Sequence, residues 1–448
     1  MDDALNIVEQ RMNQPTARGL GHAVSRAIGD GALTAGTKLP PIRVVAKQLG
    51  LSPTTVSAAW SLLARSGAIR TDGRRGTTVA HHHSAGSARY RQALEGRATF
   101  DLDLSTGVPD PALLPDLTHA LQALTTVATP GSYLDSPVLP ELLTILRADW
   151  PYPAEEITVV DGAMDALDLA AQTLIRFGDR VIVEHPCFPL VLDLLEALGA
   201  DVVGVPMDEE GIRPDALGDA LQAPATAVIL QPRAQNPTGV SLTPSRAREL
   251  AEIIAATDTI IIEDDAAGSV SATPAISLGE WVPQQTLHVR SFSKSHGPDL
   301  RLAAMSGTTA LIGEIVGRRQ LGQGWSSRLL QRILLSLLTD PHAVEQINSA
   351  RQAYARRRSL TVDVLLAHEI TVRGQDGINI WVPVADESAA IVRLASQGIG
   401  ATPGAPFAVL PAAGGHIRVT VGLLTERHTE VAEQIAAAAR IGKWSGVR

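Results

Sequence analysis

From residue 101 onward, short apolar runs alternate with longer amphipathic segments, and this alternation constrains the fold more than any other feature of the chain. Runs of three or four apolar residues are typical of buried strands, and apolar residues at helical spacing mark the segments between them. The alternation predicts an α/β domain with a mainly parallel sheet. We expect strands at residues 181–183, 202–205, 227–230 and 260–262, and helices at 164–177, 190–198 and 244–256.

A second, smaller unit follows this α/β pattern. Its predicted elements are a long helix over 344–366, strands near 378–383 and 416–421, and a terminal helix near 426–439. We therefore expect a multidomain chain with a head at 1–80, a linker at 81–97 and a body at 98–448. The body divides into a large part that ends near residue 340 and a small α+β part that begins near residue 341.

The head has the pattern of a helix-turn-helix followed by a hairpin. Ser52 is the predicted N-cap of its third helix, with Pro53 at the first helical position. Two short strands flank a Gly-Arg-Arg-Gly tip within residues 68–80 and predict a wing. A helical hairpin that makes protein contacts is the alternative interpretation. The predicted helices cover residues 17–28, 42–49 and 53–66.

Charge is distributed unevenly along the chain. Residues 1–97 contain 13 Lys and Arg against 6 Asp and Glu, whereas the remainder contains 25 against 41, within a net charge of −9 for the whole chain. A basic head on an acidic body indicates that the head binds a polyanion.

Taken with its wing, the head resembles the winged-helix DNA-binding domain of the GntR family. The resemblance runs from Gly36 to Val79 and includes the runs Gly-Thr-Lys-Leu-Pro and Leu-Gly-Leu-Ser-Pro-Thr-Thr-Val. It implies that the third helix enters the major groove of a double-stranded DNA operator. Relatives often have arginine where this chain has Pro53, so base readout is expected to be shifted or weaker. The implied DNA-binding residues are Arg43, Ser52, Thr54, Thr55, Ser57, Arg74 and Arg75.

Lys294 is the only lysine between Lys47 and Lys443, in a chain whose 38 lysines and arginines include just four lysines. A desolvated lysine can lose its proton and attack a carbonyl group, whereas arginine stays charged. Lys294 follows a strand-like run at 287–290, and ligands gather at strand ends in α/β sheets. The residues around it decide between this chemistry and an ordinary surface lysine.

Other polar residues also fall at predicted strand ends. Asp264 follows the apolar run at 260–262, and Asn236 follows the strand that ends near residue 232. Gly162 opens a helix whose free N–H groups suit phosphate, and Arg301 offers a guanidinium group for the same anion. One amine, one carboxylate, one amide and a phosphate cradle describe a pyridoxal 5′-phosphate (PLP) site.

With these residues in this order, the body resembles the fold-type I PLP enzymes of the class I and II aminotransferase group, from Leu102 to Lys443. The resemblance implies that Lys294 forms a Schiff base with PLP, that Asp264 pairs with the pyridine nitrogen, and that Asn236 hydrogen-bonds the ring oxygen. The other implied contacts are Phe188 on the ring, Gly162, Ala163, Met164, Ser291, Ser293 and Arg301 on the phosphate, Tyr133 of the partner subunit, and Arg418 on an effector carboxylate.

One departure from the aminotransferase group lies beside Asp264. The group usually has a tyrosine just after this aspartate, which donates a second hydrogen bond to the ring oxygen, and Ala266 stands at that place here. The departure puts efficient transamination in doubt and leaves the cofactor-binding residues intact. Each residue taken singly has another interpretation: Asp264 could cap a helix, Phe188 could be a core residue, and Arg418 could pair with a surface carboxylate.

A GntR-type head joined to an aminotransferase-like body is the arrangement of the MocR subfamily of transcription regulators, which this chain resembles over nearly its whole length. The resemblance implies a homodimer that binds DNA and senses PLP, or the aldimine of PLP with a small amino compound. It leaves open whether the heads are exchanged between subunits. Vitamin B6 or amino-compound metabolism is the expected target, with weak transaminase activity at most. The alternatives are an active aminotransferase with an accessory head and a regulator that has lost PLP.

Composition excludes several classes of protein. Cys187 is the only cysteine, so intrachain disulfides and multi-cysteine metal sites are excluded. No metal is expected at the three histidines of residues 81–83, because consecutive histidines in a linker lack a fixed geometry. No run of eighteen apolar residues occurs and the first residues lack a basic start. We therefore expect no membrane span, no signal peptide and a cytoplasmic location.

Overall fold

The structure is a computed structural model that describes residues 2–29, 32–34, 36–65, 68–71, 76–79, 89, 100–124, 132–411 and 414–442. Of the predicted linker, only Arg89 is among them. The wing arginines Arg74 and Arg75 and the three histidines at 81–83 lie outside the described residues, so what was expected of them remains a prediction.

The head folds as a helix-turn-helix with a small antiparallel sheet. The Ser52 hydroxyl accepts the backbone N–H of Thr55 at 3.0 Å, so it caps the third helix of the predicted motif as expected. One apolar face of each helix is buried in a shared core that includes Leu20, Val24, Val56, Trp60 and Leu63. The elements are α1 Asp2–Glu9, α2 Ala17–Gly29, β1 Lys38–Leu39, α3 Ile42–Gln48, α4 Pro53–Arg65, β2 Ile69–Thr71 and β3 Thr77–Val79.

Two elements of the head were not expected from the sequence. The first is α1, whose eight residues span too few turns to give a clear helical period, although Leu5 and Val8 are buried in the head core. The second is β1, which pairs with β3 and makes the wing sheet three-stranded. The predicted bounds of the other three helices agree with the structure to within one residue.

An eight-stranded sheet forms the centre of the body, as the alternating pattern predicts. Its order is β5-β12-β11-β10-β9-β6-β7-β8, and all strands are parallel except β12 and β8. After β4 Leu102–Asp103, the sheet strands are β5 Glu156–Val160, β6 Arg180–His185, β7 Asp201–Asp208, β8 Gly211–Ile212, β9 Ala227–Leu230, β10 Ile260–Asp265, β11 Thr286–Ser291 and β12 Ala303–Gly307.

Helices cover both faces of this sheet, as expected for mainly parallel strands. Successive side chains of β6 point to opposite faces: Val181 and Val183 join one apolar cluster, and Ile182 joins another. None of the helices in the described part of the chain has the length and apolarity that a membrane span requires. The helices are α5 Thr118–Leu124, α6 Pro140–Ala148, α7 Ala163–Leu174, α8 Pro189–Ala197, α9 Pro214–Ala220, α10 Pro244–Ala255, α11 Thr309–Gln320, α12 Arg328–Thr339 and α13 Pro341–Ala367.

The small part of the body has its own core, and the first residues of the body belong to it. Strand β4 pairs with β14, and Leu104 is fully buried in the apolar cluster of the small part. The sequence analysis placed residues 102–104 in the large part, because the strands and helices that follow them in the chain belong to that part. The remaining elements are β13 Ile380–Val384, α14 Glu387–Ala395, β14 Ile399–Gly400, β15 Thr402–Pro403, β16 Gly415–Val419 and α15 His428–Ala439.

Asp376 ties the two parts of the body together. Its carboxylate accepts the backbone N–H of Ala272 at 2.8 Å and that of Thr273 at 3.0 Å, both in the loop after β10, and the Ser271 hydroxyl. Burial alone would raise the pKa of Asp376, but these hydrogen bonds outweigh it and hold the pKa below its ordinary value. The carboxylate therefore stabilises the fold in its ionised form.

We expect Asp376→Ala to lower the free energy of unfolding by about 3 kcal/mol, because several buried donors lose their acceptor. Asp386→Ala, which removes only the N-cap acceptor of Ala389, should cost about 1 kcal/mol. Urea unfolding of the two variants and the wild type measures the difference. A carboxyl group whose pKa is lowered in the folded protein stabilises the fold at pH values above its ordinary pKa of 3.8. This stabilisation is lost as the pH falls through the pKa of the folded protein. The Asp376 effect should therefore be full near neutrality and shrink below pH 3.8; an equal effect of the two substitutions would contradict this role.

Candidate functional site

Asp264 and Lys294 lie at the same edge of the central sheet. Asp264 is the penultimate residue of β10, its register partner is Val289 of β11, and Lys294 lies three residues beyond the end of β11. Asp264 is buried, and its Oδ2 accepts the side-chain N–H of Gln231 at 2.7 Å. Its Oδ1 is buried with no hydrogen-bond partner among the described residues. A buried carboxylate oxygen without a protein donor can accept a hydrogen bond from an N–H group of a ligand.

The Lys294 amine contacts a backbone carbonyl group at a buried position that suits nucleophilic chemistry. Its Nζ donates to the carbonyl oxygen of Ala266 at 3.3 Å. Burial lowers the pKa of Lys294, and the nearby Asp264 carboxylate opposes this shift. Burial also raises the pKa of Asp264, against the hydrogen bond from Gln231 and the charge of Lys294. A lowered pKa favours the uncharged amine, which is the form that attacks a carbonyl group.

A cradle for an anion lies at the N-terminus of α7. Gly162 precedes this helix with φ of 103°, and the N–H groups of the first turn have no partner within the helix. The Arg301 guanidinium donates to the carbonyl oxygen of Asp161 at 3.1 Å and packs against Gly162. A Cβ atom added at Gly162 would stand 3.2 Å from Arg301 Nη2. The glycine therefore keeps open the space between helix and guanidinium that a phosphate group requires.

The remaining predicted contacts on the cofactor flank these groups. Ser291 ends β11 and is buried, and the backbone N–H of Ser293 donates to its hydroxyl at 3.3 Å. Phe188 stands at the N-cap position of α8, half-buried against the core of the large part. Phe188 thus lies after the end of β6, Ser291 at the end of β11 and Ser293 just beyond it, all at the carboxyl edge of the sheet.

Arg418 and Asn236 are brought together from opposite parts of the body. Arg418 lies on β16 of the small part, and its Nη1 donates to Asn236 Oδ1 at 3.3 Å. Its Nη2 donates to the carbonyl oxygen of Ser105 at 2.5 Å, and its guanidinium stands 5.2 Å over the Phe407 ring. The arginine is buried at the boundary between the two parts, where a small ligand with a carboxylate would meet it.

Tyr133 does not join this site within the chain. Its side chain is 88% exposed, and its ring lies against Trp325 at 5.8 Å between centroids. A contact with a second subunit's cofactor therefore remains a prediction that one chain cannot test.

Sequence reasoning missed a hydrogen-bonded support behind the site. The Gln231 side chain donates to Asp264 and accepts the backbone N–H of Asn236 at 2.7 Å, so it links two of the predicted cofactor contacts. Its backbone N–H donates to Glu184 at 3.1 Å, and burial raises the pKa of Glu184 to about 8. The available signal in the sequence was a polar residue, Gln231, directly after the apolar run of β9. Its partners Glu184 and Asp264 lie on other strands, so the sequence does not indicate these contacts.

The described residues that are predicted to contact DNA lie on α3, on α4 and at the N-cap of α4. Arg43 on α3 and Thr54 and Ser57 on α4 are exposed, and Thr55 is half-buried. The Ser52 hydroxyl lies 2.8 Å from each of the Thr54 and Thr55 hydroxyls, in addition to its capping contact. The first turn of α4 thus presents a cluster of hydroxyl groups, the kind of group that binds phosphate or base edges.

Two family models match the chain and confirm the predicted pairing of head and body. The model for aminotransferase class I and II covers residues 101–435, and the model for bacterial regulatory proteins of the gntR family covers residues 16–79.

Two relatives named as transcription regulators agree with this pairing, and a solved aminotransferase structure agrees with the fold of the body. The vitamin B6 salvage pathway transcriptional repressor PtsJ of Salmonella typhimurium is 35% identical, over 92% of this chain and 95% of its own length. The HTH-type pyridoxine biosynthesis transcriptional regulator PdxR of Corynebacterium glutamicum is 28% identical, over 77% of this chain and 78% of its own. The structure of aspartate aminotransferase from Thermus thermophilus with maleate matches with a TM-score of 0.68 and 25% identity, over 78% of this chain and 95% of its own.

We expect Gly162→Ala to weaken PLP binding about tenfold, because a Cβ would enter the phosphate cradle at a positive φ that alanine rarely adopts. Absorbance titration with PLP measures the dissociation constant. Gly218→Ala, in open space on α9, is the matched control and should leave it unchanged. Pyridoxal, which lacks the phosphate, should bind wild type and Gly162→Ala equally well. An equal loss for both ligands would show that Gly162 does not act through the phosphate.

Proposed function

This chain belongs to the class I and II aminotransferase family and is a DNA-binding transcription regulator of the MocR type with PLP as its cofactor, and we propose that PLP bound at its sheet edge is the signal that it reads. The observation that carries the proposal is the contrast around Lys294. Apart from Tyr133, the groups predicted to hold the cofactor are present in the chain, whereas the place of the expected phenol is taken by Ala266, whose carbonyl oxygen accepts the Lys294 amine. A site that holds its ligand without efficient turnover suits a sensor.

Different residues of the chain are proposed to contact different parts of PLP. Lys294 would hold the cofactor through its side-chain amine, and burial favours the uncharged form of this amine. Asp264 offers Oδ1 to the pyridine N–H; the positive ring would favour the ionised carboxylate, against the pKa rise that burial causes. Arg301 and the first turn of α7 hold the phosphate. PLP contributes an electron-withdrawing ring when it is bound.

Vitamin B6 supply is the proposed target of control. Two relatives act, by their names, on the vitamin B6 salvage pathway and on pyridoxine biosynthesis. PLP is the end product of such pathways, and a regulator that carries the end product can restrain its own supply. We therefore propose that PLP tightens operator binding and that the chain acts as a repressor.

An exposed apolar surface supports a homodimer. Tyr133 and Leu134 are 88% and 95% exposed, yet their loop is held by Arg328, which donates to the carbonyl oxygens of Ser132 and Asp135. An ordered loop that presents apolar side chains to solvent is typical of a surface covered by another subunit. We propose that a second copy of this chain covers this surface and that the partner's Tyr133 contacts the phosphate, as the resemblance to aminotransferases implies.

Active transamination is the second candidate, and Arg418 is the observation that favours it. A buried arginine beside Asn236 is suited to grip the carboxylate of an amino acid. Sustained turnover of an amino donor and a 2-oxo acid by the purified protein would support this candidate. Binding of an amino acid without turnover would instead assign Arg418 to effector recognition.

We expect PLP to tighten binding to operator DNA by about tenfold. The DNA is obtained by selection from random duplexes with the purified protein, and fluorescence anisotropy measures the affinity with and without PLP. Lys294→Ala should bind the same DNA but lose the response to PLP. Arg43→Ala should weaken DNA binding in both states by about 1–3 kcal/mol, because the arginine contacts DNA and not the cofactor.

Pyridoxal serves as the control ligand in this experiment, since it carries the same carbonyl without the phosphate. A full PLP response in Lys294→Ala would contradict sensing through this lysine. A PLP response that disappears in Arg43→Ala, with basal affinity unchanged, would contradict the assigned role of the head.

A further inference from the structure

A second cavity of the body lies between the large part and the small part. Its volume is about 590 Å³, which is within the range of small-molecule binding pockets. One side includes His185 and Met207, at the carboxyl ends of β6 and β7, and the other includes Trp381 of β13 and His416 of β16. Ligands of α/β proteins bind outside the carboxyl ends of parallel strands, so the position of this cavity suits a ligand.

A wall separates the second cavity from the cofactor site. None of the described residues that line it is among the predicted cofactor or effector contacts. The fully buried Phe407 ring contacts groups on both sides: its centroid is 5.4 Å from that of Trp381 in the cavity lining and 5.2 Å from the guanidinium carbon of Arg418 in the cofactor site. The carbonyl oxygen of Phe407 accepts the backbone N–H of Cys187 at 2.9 Å, which ties this wall to the loop after β6. The two sites can therefore be occupied at the same time.

Two stacked aromatic rings form part of the lining of the second cavity. The rings of Trp381 and His416 are 5.1 Å apart between centroids, with their planes at 5° to each other. Gly404 packs against them, since a Cβ atom there would stand 2.8 Å from Trp381 Cη2 and 2.5 Å from the carbonyl oxygen of His416. The faces of aromatic rings attract cations. The stacked pair therefore offers a surface for a planar ligand that carries a positive charge.

The charged groups around the second cavity are mostly carboxylates. Asp208, Glu209 and Glu387 line it, and Arg373 is the one guanidinium among the described residues of the lining. Arg373 pairs with Glu209 at 3.3 Å, so the charge of this arginine is already compensated. Three carboxylates and one guanidinium leave a balance of −2, which favours a cationic ligand over an anion such as phosphate.

Two of these carboxylates are held in place by donors of the protein. Burial would raise the pKa of Asp208, but Arg246, which donates to its two oxygens at 2.8 and 2.9 Å, holds this pKa below its ordinary value. Glu387 accepts the backbone N–H groups of Ala405 and His416, each at 3.0 Å. Even with the charge of Arg246 included, the surroundings of the cavity remain negative, and no rearrangement of these two carboxylates is needed when a ligand enters.

The two histidines of the lining stay uncharged at neutral pH. Burial lowers the pKa of His185 and that of His416, and the proximity of His416 adds to the shift of His185. The His185 Nδ1 accepts the backbone N–H groups of Val409 at 3.2 Å and Leu410 at 3.3 Å, so the proton of the neutral ring is on Nε2. Neutral imidazoles do not repel a cation, and the Nε2–H of His185 is a donor for a polar substituent of the ligand.

We propose that the second cavity is a further ligand site of the body and that its ligand is a small aromatic cation, a planar ring with a positively charged nitrogen and no phosphate group. The ring packs against the stacked pair of Trp381 and His416, and the carboxylates of Asp208 and Glu209 compensate its charge. This site goes beyond the proposed function, because binding in the second cavity requires neither PLP nor DNA.

Isothermal titration calorimetry of the full-length, PLP-loaded protein tests this site with three probes that share one ring. The probes 1-methylnicotinamide, nicotinamide and nicotinate are cationic, neutral and anionic, and none has an aldehyde or a free amine that could form a Schiff base. We expect the cation to bind once per chain and about tenfold more tightly than the neutral probe, with the anion weakest, because rings and carboxylates both attract positive charge. No binding of the cation, or equal affinities for the three probes, would overturn the proposal.

Glu209→Gln tests the contribution of charge. The Glu209 side chain is 68% exposed, so the substitution should leave the fold intact. It should weaken binding of 1-methylnicotinamide about threefold, because a carboxylate near the cation is lost, and leave nicotinamide unaffected. Glu252→Gln is the matched control, since Glu252 is also exposed and paired with an arginine, Arg248 at 2.8 Å, but lies on α10 outside the cavity lining. Equal effects of the two substitutions would contradict the charge contribution.

Trp381→Leu tests the aromatic contact and the location of the probe. It should weaken binding of 1-methylnicotinamide about tenfold, and an unchanged affinity would overturn the contact. Binding that disappears when PLP is added would place the probe in the cofactor site and overturn a second site. Failure of the protein to take up PLP would count against the proposed function alone, because Glu209→Gln and Trp381→Leu locate the probe in the second cavity without PLP.

Discussion

The parallel pairing of β10 with β11 is the constraint on which the cofactor site depends. Parallel strands end at the same sheet edge, so the register that sets Asp264 opposite Val289 also delivers the loop with Lys294 to the same place. A shift by one residue would turn Asp264 to the opposite face of the sheet. The apolar residues of β10, which are buried on both sides, oppose such a shift because each face packs on its own layer of helices.

The site combines buried polar groups with a ligand that completes them. Gln231 holds the Asp264 carboxylate and the Asn236 backbone in one arrangement, and burial raises the pKa of Glu184 behind them to about 8. A neutral Glu184 adds no negative charge beside Asp264, whose Oδ1 we propose accepts the N–H of the cofactor ring. Nothing in this support depends on turnover, which agrees with a sensor that retains its cofactor.

The elements that could be predicted from the sequence are those with local signals. The helix-turn-helix follows from apolar spacing and the Ser52 cap, and the sheet follows from alternation, since both depend on residues close in the chain. The placement of β4 in the small part and the three-stranded wing depend on partners far along the chain, so no local pattern indicates them. Lys294, Asp264 and Asn236 could be named because their motifs are ordered and specific. Gln231 acts through contacts between distant segments, and the sequence around it is that of an ordinary strand end.

In the proposed function the body senses PLP and the head binds DNA, so the free energies of the two binding events must be linked if one controls the other. Linkage is reciprocal: a factor by which PLP tightens DNA binding is also the factor by which DNA tightens PLP binding. The most direct measurement is the PLP dissociation constant with and without saturating operator DNA, at fixed salt. A decrease of about tenfold in the presence of DNA is the expected result. An unchanged constant would mean that the cofactor site and the DNA-binding head act independently, and it would contradict the sensor.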